Sequence, residues 1–240
     1  IVAYIQTELS FDGYHENAPR IVRLGVKAEF PGTSITAAVS NTPAGPALVE
    51  EFPEVLNAVR FRPTSPRTVV SYADRQDYEG GIFFADESVF DVFTFPMLKG
   101  DPRTALEAPG SLVITASIAA KYFGDEEPLG KVLRLNNRED RTVTGVIADV
   151  PRNSHFTFNM LLSFESLYAQ NRKAQERWLG FPNYTYLLLG DKAQREALEG
   201  RFAPSHLVEK LMQRFAIPSC SFFAAWGSRQ ADGSRQCSTR

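Results

Sequence analysis

The 240-residue chain is short of the side chains that most often build reactive centres. It holds two cysteines, three histidines, three methionines and two tryptophans. Cys220 and Cys237 both fall within the last 21 residues, so the body of the fold carries neither a disulfide nor a thiolate metal site. That excludes a disulfide-stapled scaffold, and the pair reads as tail thiols with no role in the fold, with a disulfide between the two as the alternative. His15, His155 and His206 are scattered, and none belongs to an H-x-x-x-H or similar pairing, so no metal site is expected. An excess of one charge is missing as well: 26 Lys and Arg face 28 Asp and Glu, interspersed along the chain. This near-neutral balance provides no footprint for nucleic acid, which selects a basic patch or stripe. No G-x-x-x-x-G-K-[ST] loop or G-x-G-x-x-G fingerprint occurs, and Gly80-Gly81 and Gly130-Lys131 read as turn glycines. Neither ATP nor a dinucleotide cofactor is expected to bind.

Long apolar runs are also lacking; a membrane helix needs about 20 such residues. There is no signal peptide of the usual form. The opening Ile1-Val2-Ala3-Tyr4-Ile5 reads equally as the stub of a removed membrane helix or as a buried first strand.

What is present is ordinary globular material, 43% hydrophobic and 22% charged, enough for one large domain or two small ones. Ile21 to Phe30 reads as a strand stopped by Pro31-Gly32. Thr42-Pro43 or Gly45-Pro46 opens a short helix with Leu48, Val49 and Phe52 on one face, and Pro53 ends it. Val55 to Phe61 comes next as a strand, making a β-α-β order. Two more strands, Thr68 to Tyr72 and Gly81 to Ala85, flank a polar loop, and Asp86 to Phe93 reads as a short amphipathic helix. The clearest helix is Ala116 to Phe123, with Thr115 as its cap and Gly124 at its end. Lys131 to Leu135 and Arg141 to Ile147 form a hairpin around Asn136-Asn137. Phe156 to Phe164 alternates apolar and polar residues, which predicts a strand with one core face and one mostly polar face. A helical stretch from Ser166 to Trp178, a strand from Tyr184 to Leu189 and a helix from Lys192 to Phe202 complete the ordered part. Strands mixed with helices and outnumbering them indicate an α+β fold. The last fourteen residues, Gly227 to Arg240, hold almost nothing apolar, so residues 217–240 are expected to form a disordered or artefactual tail.

Candidate chemistry is sparse. Asp149, Ser154 and His155 contain the residue types of a nucleophilic triad within seven positions. Adjacent Ser154 and His155 tend to point apart, and no G-x-S-x-G elbow is present, so a turn in which Asn153 and Ser154 bond to backbone is the better reading. Asp125, Glu126 and Glu127 lack the alternating oxygen spacing of a calcium loop and read as a solvated turn. Phe83, Phe84, Phe90, Phe93 and Phe95 read as packed core rather than as an apolar ligand pocket. No catalytic, cofactor-binding or metal residue is assigned.

The run from Gly81-Ile82-Phe83-Phe84-Ala85-Asp86 through Phe90-Asp91-Val92-Phe93 and Leu98-Lys99-Gly100-Asp101-Pro102 resembles the MacB-like periplasmic core domain. The likeness continues through Leu112-Val113-Ile114-Thr115, Ala119-Ala120-Lys121-Tyr122-Phe123-Gly124 and Pro128-Leu129-Gly130-Lys131 to Asp149-Val150-Pro151-Arg152-Asn153-Ser154-His155. Upstream, Glu8 to His15 and Arg20 to Leu24 are similar to the stretch just past the first membrane helix in ABC transporter permeases of the MacB/FtsX type. The resemblance spans residues 1 to 203. It implies a domain in two parts: a porter-like βαβ layer, assigned to 20–85 and 156–203, and an inserted sabre-like part at 86–155, after a membrane-proximal segment at 1–19. It further implies the periplasmic side of a bacterial inner membrane, a cytoplasmic ABC ATPase subunit, a second permease copy and a periplasmic or outer-membrane partner. The domain itself would be no enzyme; it would transmit ATPase-driven motion and contact cargo or partner proteins. The competing expectation is a free periplasmic binding protein for an apolar ligand or peptide.

Overall fold

The computed structural model describes residues 12–30, 32–169, 172–176, 178, 180–191, 198 and 219–225. The chain divides into two compact units, Ile1–Ala18 with Val59–Arg177, and Pro19–Ala58 with Trp178–Arg240. The cuts differ from the expected 86–155 insertion. Strands β6 (Ile82–Ala85) and β11 (Met160–Ser163) pair in parallel, Ile82 opposite Met160, and β11 also pairs with β8 (Ser111–Thr115). Backbone hydrogen bonds thus tie residues from both sides of position 86 into one unit.

In the smaller unit, β1 (Ile21–Phe30) is the organising strand. It pairs antiparallel with β12 (Tyr184–Leu189), with β2 (Thr33–Ala37) and with β13 (Ser219–Ala225). Expected disorder over 217–240 therefore does not hold for Ser219–Ala225; the remaining tail, including Cys237, lies outside the described residues. Helix α1 (Ala44–Glu51) begins where the Thr42–Pro46 signals place it and ends at Phe52. Its Leu48, with Phe52 and Val55, packs on Val22, Leu24 and Val26 of β1 and on Leu187 and Leu189 of β12. Alternate residues of a strand share a face, so three residues of β1 reach the same core. The helix expected over Lys192 to Phe202 lies outside the described residues except for Leu198, which joins this core.

The larger unit carries a mixed sheet in the order β3-β6-β11-β8-β10-β9-β4-β5, where β3 is Val55–Pro63 (from Val59 on in this unit), β4 Thr68–Tyr72, β5 Arg75–Glu79, β9 Val132–Leu135 and β10 Glu139–Ile147. A short β7 (Met97–Lys99) lies on β10. Parallel pairs β6–β11 and β8–β10 sit among antiparallel neighbours, as the α+β expectation requires. Helix α3 (Ala116–Phe123) places Ile118, Tyr122 and Phe123 on a core of Leu112, Ile114, Leu133, Val143, Val146 and Met160.

Several local readings change. The strand expected over Phe156 to Phe164 contracts to Met160–Ser163, and all four residues are buried. A strand between two others with both faces covered has no polar face to present. The helix expected from Asp86 to Phe93 is a single turn, α2 (Val89–Val92), and where a helix is expected over 166–178 the described residues carry two 3₁₀ segments, Phe164–Leu167 and Arg172–Glu176. The polar loop between β4 and β6 is itself mostly strand: Arg75–Glu79 is the outer arm of a hairpin. The Asn136-Asn137 hairpin forms as read, with both residues at positive φ and the Arg138 N–H donating to the Leu135 carbonyl at 3.0 Å. Gly145 permits close packing: an added Cβ would sit 3.0 Å from the Met97 sulfur and 3.2 Å from Val113.

Candidate functional site

The residues that sequence spacing offered as a triad do not come together. Asp149 sits at the start of α3, where Oδ1 accepts the Ser117 N–H at 3.0 Å and Oδ2 the Ser117 hydroxyl at 2.6 Å. Those two bonds hold its carboxyl below the usual range. The Thr115 side chain makes no cap bond to the helix backbone. Asp149, a part of the supposed triad, takes that role.

The acid beside Ser154 and His155 is Asp12. It is buried, at 1% exposure, and adopts positive φ (59°), a conformation that Asp tolerates better than most residues. Its N–H donates to the Asn153 carbonyl at 3.0 Å. Its Oδ1 accepts the His155 N–H at 3.0 Å, with the Ser154 hydroxyl at 3.4 Å, and its Oδ2 lies 2.6 Å from His155 Nδ1. Burial works to raise the Asp12 pKa, but the ring and backbone bonds from His155 outweigh it, and the carboxyl lies below its ordinary value.

Ser154 is committed elsewhere. Its oxygen accepts from the Tyr14 hydroxyl at 3.1 Å and from the Phe156 N–H at 3.3 Å, while the Phe156 carbonyl lies 3.0 Å away. With two bonds accepted, its proton faces the Asp12 carboxylate or the Phe156 carbonyl. A triad serine instead gives its proton to the imidazole. The arrangement is a clamp of the 12–15 segment onto the 153–156 turn, and it lacks a nucleophile–base pair.

The same segment is held a second time, by His15. Its Nδ1 accepts the Thr94 N–H at 3.1 Å, so the ring proton resides on Nε2. Tyr14, Phe93 and Phe95 pack around the ring at centroid distances of 4.0, 5.0 and 5.3 Å. Burial pushes the His15 pKa down to about 4, against the opposing charge of Asp12. Next along the chain, the Glu16 N–H donates to Thr94 Oγ1 at 2.9 Å, and Asn17 Nδ2 donates to the carbonyls of Asp91 and Val92 at 3.0 and 3.2 Å.

Of the five phenylalanines read as core, Phe93 and Phe95 are buried, Phe83 and Phe84 are partly buried, and Phe90 departs from that reading. Phe93 and Phe95 join Phe61, Phe156 and Phe158 in edge, tilted and stacked ring contacts, Phe83 lies 4.7 Å from the Phe156 ring, and Phe84 packs against the α3 core. Phe90, partly buried, lines a surface cleft. Glu126 and Glu127 pair with Lys131 and Lys99 at the surface. Among the described residues no cluster of three or more His, Cys, Asp or Glu could hold a metal ion. His206 lies outside the described residues. The link from residue 12 to residue 155 was invisible in the sequence because 143 positions separate its ends; the run of local pairings that spacing can expose does not reach so far.

A family model for the MacB-like periplasmic core domain matches residues 1–204. No curated protein matches the chain. Among solved structures, a domain described as that of a permease from Porphyromonas gingivalis is similar at 21% identity, covering 88% of this chain and 90% of that one with a TM-score of 0.71. The periplasmic region of MacB from Actinobacillus actinomycetemcomitans shares the fold at 12% identity, with 86% and 89% coverage and a TM-score of 0.57. The extracellular domain of the transporter YknZ from Gram-positive bacteria does so at 13% identity, with 85% and 98% coverage and a TM-score of 0.59. The chain thus belongs to the MacB-like periplasmic core domain family and is the extracytoplasmic domain of an ABC transporter permease.

Proposed function

We propose that the domain transmits ATPase-driven motion of its permease, and that the Asp12–Asn17 segment is where that motion enters the larger unit. The observation carrying this reading is the buried Asp12 carboxylate, which takes bonds from His155 and Ser154 across more than half the chain length. On this reading, displacement of the permease's membrane helices is passed to the larger unit through residues 12–17. Charge-assisted bonds to a buried carboxylate are among the stronger ones, and a segment so held moves with its unit. The partners on this reading are a cytoplasmic ATPase subunit, a second permease copy, and a periplasmic or outer-membrane protein or cargo. The ATPase supplies the chemistry, and the domain catalyses nothing. The porter-like part is assigned to Pro19–Ala58 with the segment from Trp178, and the sabre-like part to Val59–Arg177.

The test uses the full-length permease with its ATPase in lipid nanodiscs. Cys220 and Cys237 are replaced by serine, and a spin label is placed at the exposed Asp125 of both copies. The unaltered clamp is expected to give an ATP-dependent change in label separation. Asp12→Ala should abolish that change while ATP turnover continues. A full response in Asp12→Ala defeats the reading.

A further inference from the structure

A surface cleft of about 270 Å³ opens beside the Asp12–Asn17 segment, lined by Glu16, Asn17, Phe90, Asp91, Phe95 and Met97 among others. Its chemistry is two-sided. Phe90, Phe95 and Met97 provide apolar walls, and Glu16 and Asp91 bring two carboxylates. Neither carboxylate has a hydrogen bond or ion pair to any of the described residues. The Asp91 backbone is held by Asn17 at 3.0 Å, which fixes where its side chain starts. Nearby cations are already committed, Arg103 to Asp101 at 3.6 Å and Lys99 to Glu127 at 2.6 Å. Among the described residues, the cleft therefore presents two unpaired carboxylates beside aromatic and thioether surface.

We propose that this cleft seats one arginine side chain presented by an extracytoplasmic protein segment. Charge complementarity selects a cation, and the aromatic wall selects a planar one, since guanidinium stacks on a phenyl face while still reaching carboxylates bidentately. An opening of about 270 Å³ has room for one such side chain. Flanking apolar residues of the segment would cover Met97 and the exposed Leu98 next to it. Because Glu16 and Asn17 belong to the clamped segment, a seated arginine would also sense its position.

The test titrates the 240-residue chain with the peptide acetyl-Leu-Arg-Phe-amide, and with the same peptide carrying citrulline, which keeps the shape and loses the charge. Binding is followed by NMR at the Asn17 side-chain amide, the Thr94 amide and the Met97 methyl. The arginine peptide is expected to shift all three signals and to bind at least about fivefold more tightly than the citrulline peptide. The double variant Glu16→Gln, Asp91→Asn should erase that preference with its melting temperature unchanged, since neither carboxylate holds a partner among the described residues. Equal binding of the two peptides, or no shift at these three groups, overturns the proposal, as does tighter binding of an uncharged apolar probe such as acetyl-Leu-Leu-Phe-amide. The outcome is separate from the transmission reading: the peptide titration involves no ATPase, and the spin-label response involves no peptide.

Discussion

At the scale of single residues, the Asp12–Asn17 segment buries two titratable side chains, Asp12 and His15. His15 is 4% exposed and lies among three aromatic rings with Nδ1 on a backbone N–H. Its pKa falls from 6.5 to about 4, because burial penalises the cation. Below pH 6.5 the unfolded chain binds a proton at this residue that the folded chain refuses, so stability is full above that pH and declines as pH falls toward 4. Asp12 works in a lower window: its pKa is lowered from 3.8, so its contribution persists until the pH drops through that range. Thermal melts from about pH 7 to about pH 4.5 should show a decline in Tm that is much smaller in His15→Gln, which keeps a polar group but cannot protonate. An identical slope in both proteins would remove His15 as the cause.

Asp149 belongs to the scale of elements, for its effect is on helix α3. The first N–H groups of a helix have no partner within the helix, and a side-chain acceptor there typically contributes about 1 kcal/mol. Here the acceptor comes from beyond the end of β10, not from the Thr115 position that a local reading selects. Asp149→Ala is expected to lower Tm by about 2–4 °C for a chain of this size, and Asp149→Asn, which can still accept, to recover part of the loss. A Tm unchanged in Asp149→Ala would show that the helix start is held by other means. Elements also show why polar strands escape a sequence reading. β5, with the sequence Arg75-Gln76-Asp77-Tyr78-Glu79, has four exposed residues and one buried. An edge strand facing solvent needs no apolar alternation, and charges there guard against edge-to-edge pairing. Asp77 takes the N–H of Tyr78 at 2.7 Å on that strand.

On the scale of the whole molecule, each unit has its own core, and the smaller one depends on a strand from near the end of the sequence. β13 pairs with β1 through seven residue pairs, Arg23 with Ala225 to Glu29 with Ser219. Ending the chain at Pro218 would leave that side of β1 without its partner. The truncated protein is expected to melt at a lower temperature and to self-associate in sedimentation experiments, because an unpaired strand edge is a template for a second copy. A monomer of unchanged Tm would show β13 to be dispensable.

The elements whose physics is local were readable from residues alone. Ile21–Phe30 and Tyr184–Leu189 carry their apolar residues at strand spacing, α3 ends at a glycine of positive φ, and two asparagines turn the β9–β10 hairpin. The ordered run from Gly81 to His155 was enough to indicate the family. Tertiary structure decided what neighbours impose. Met160–Ser163 lost its expected polar face by lying between two strands, Ser219–Ala225 became ordered by pairing with β1, and the acid beside His155 proved to be Asp12 in place of Asp149. Alternation and turn chemistry act over a few residues and are written in the sequence. Which carboxylate meets a histidine 143 positions away depends on how the chain returns on itself, and only the folded arrangement fixes that.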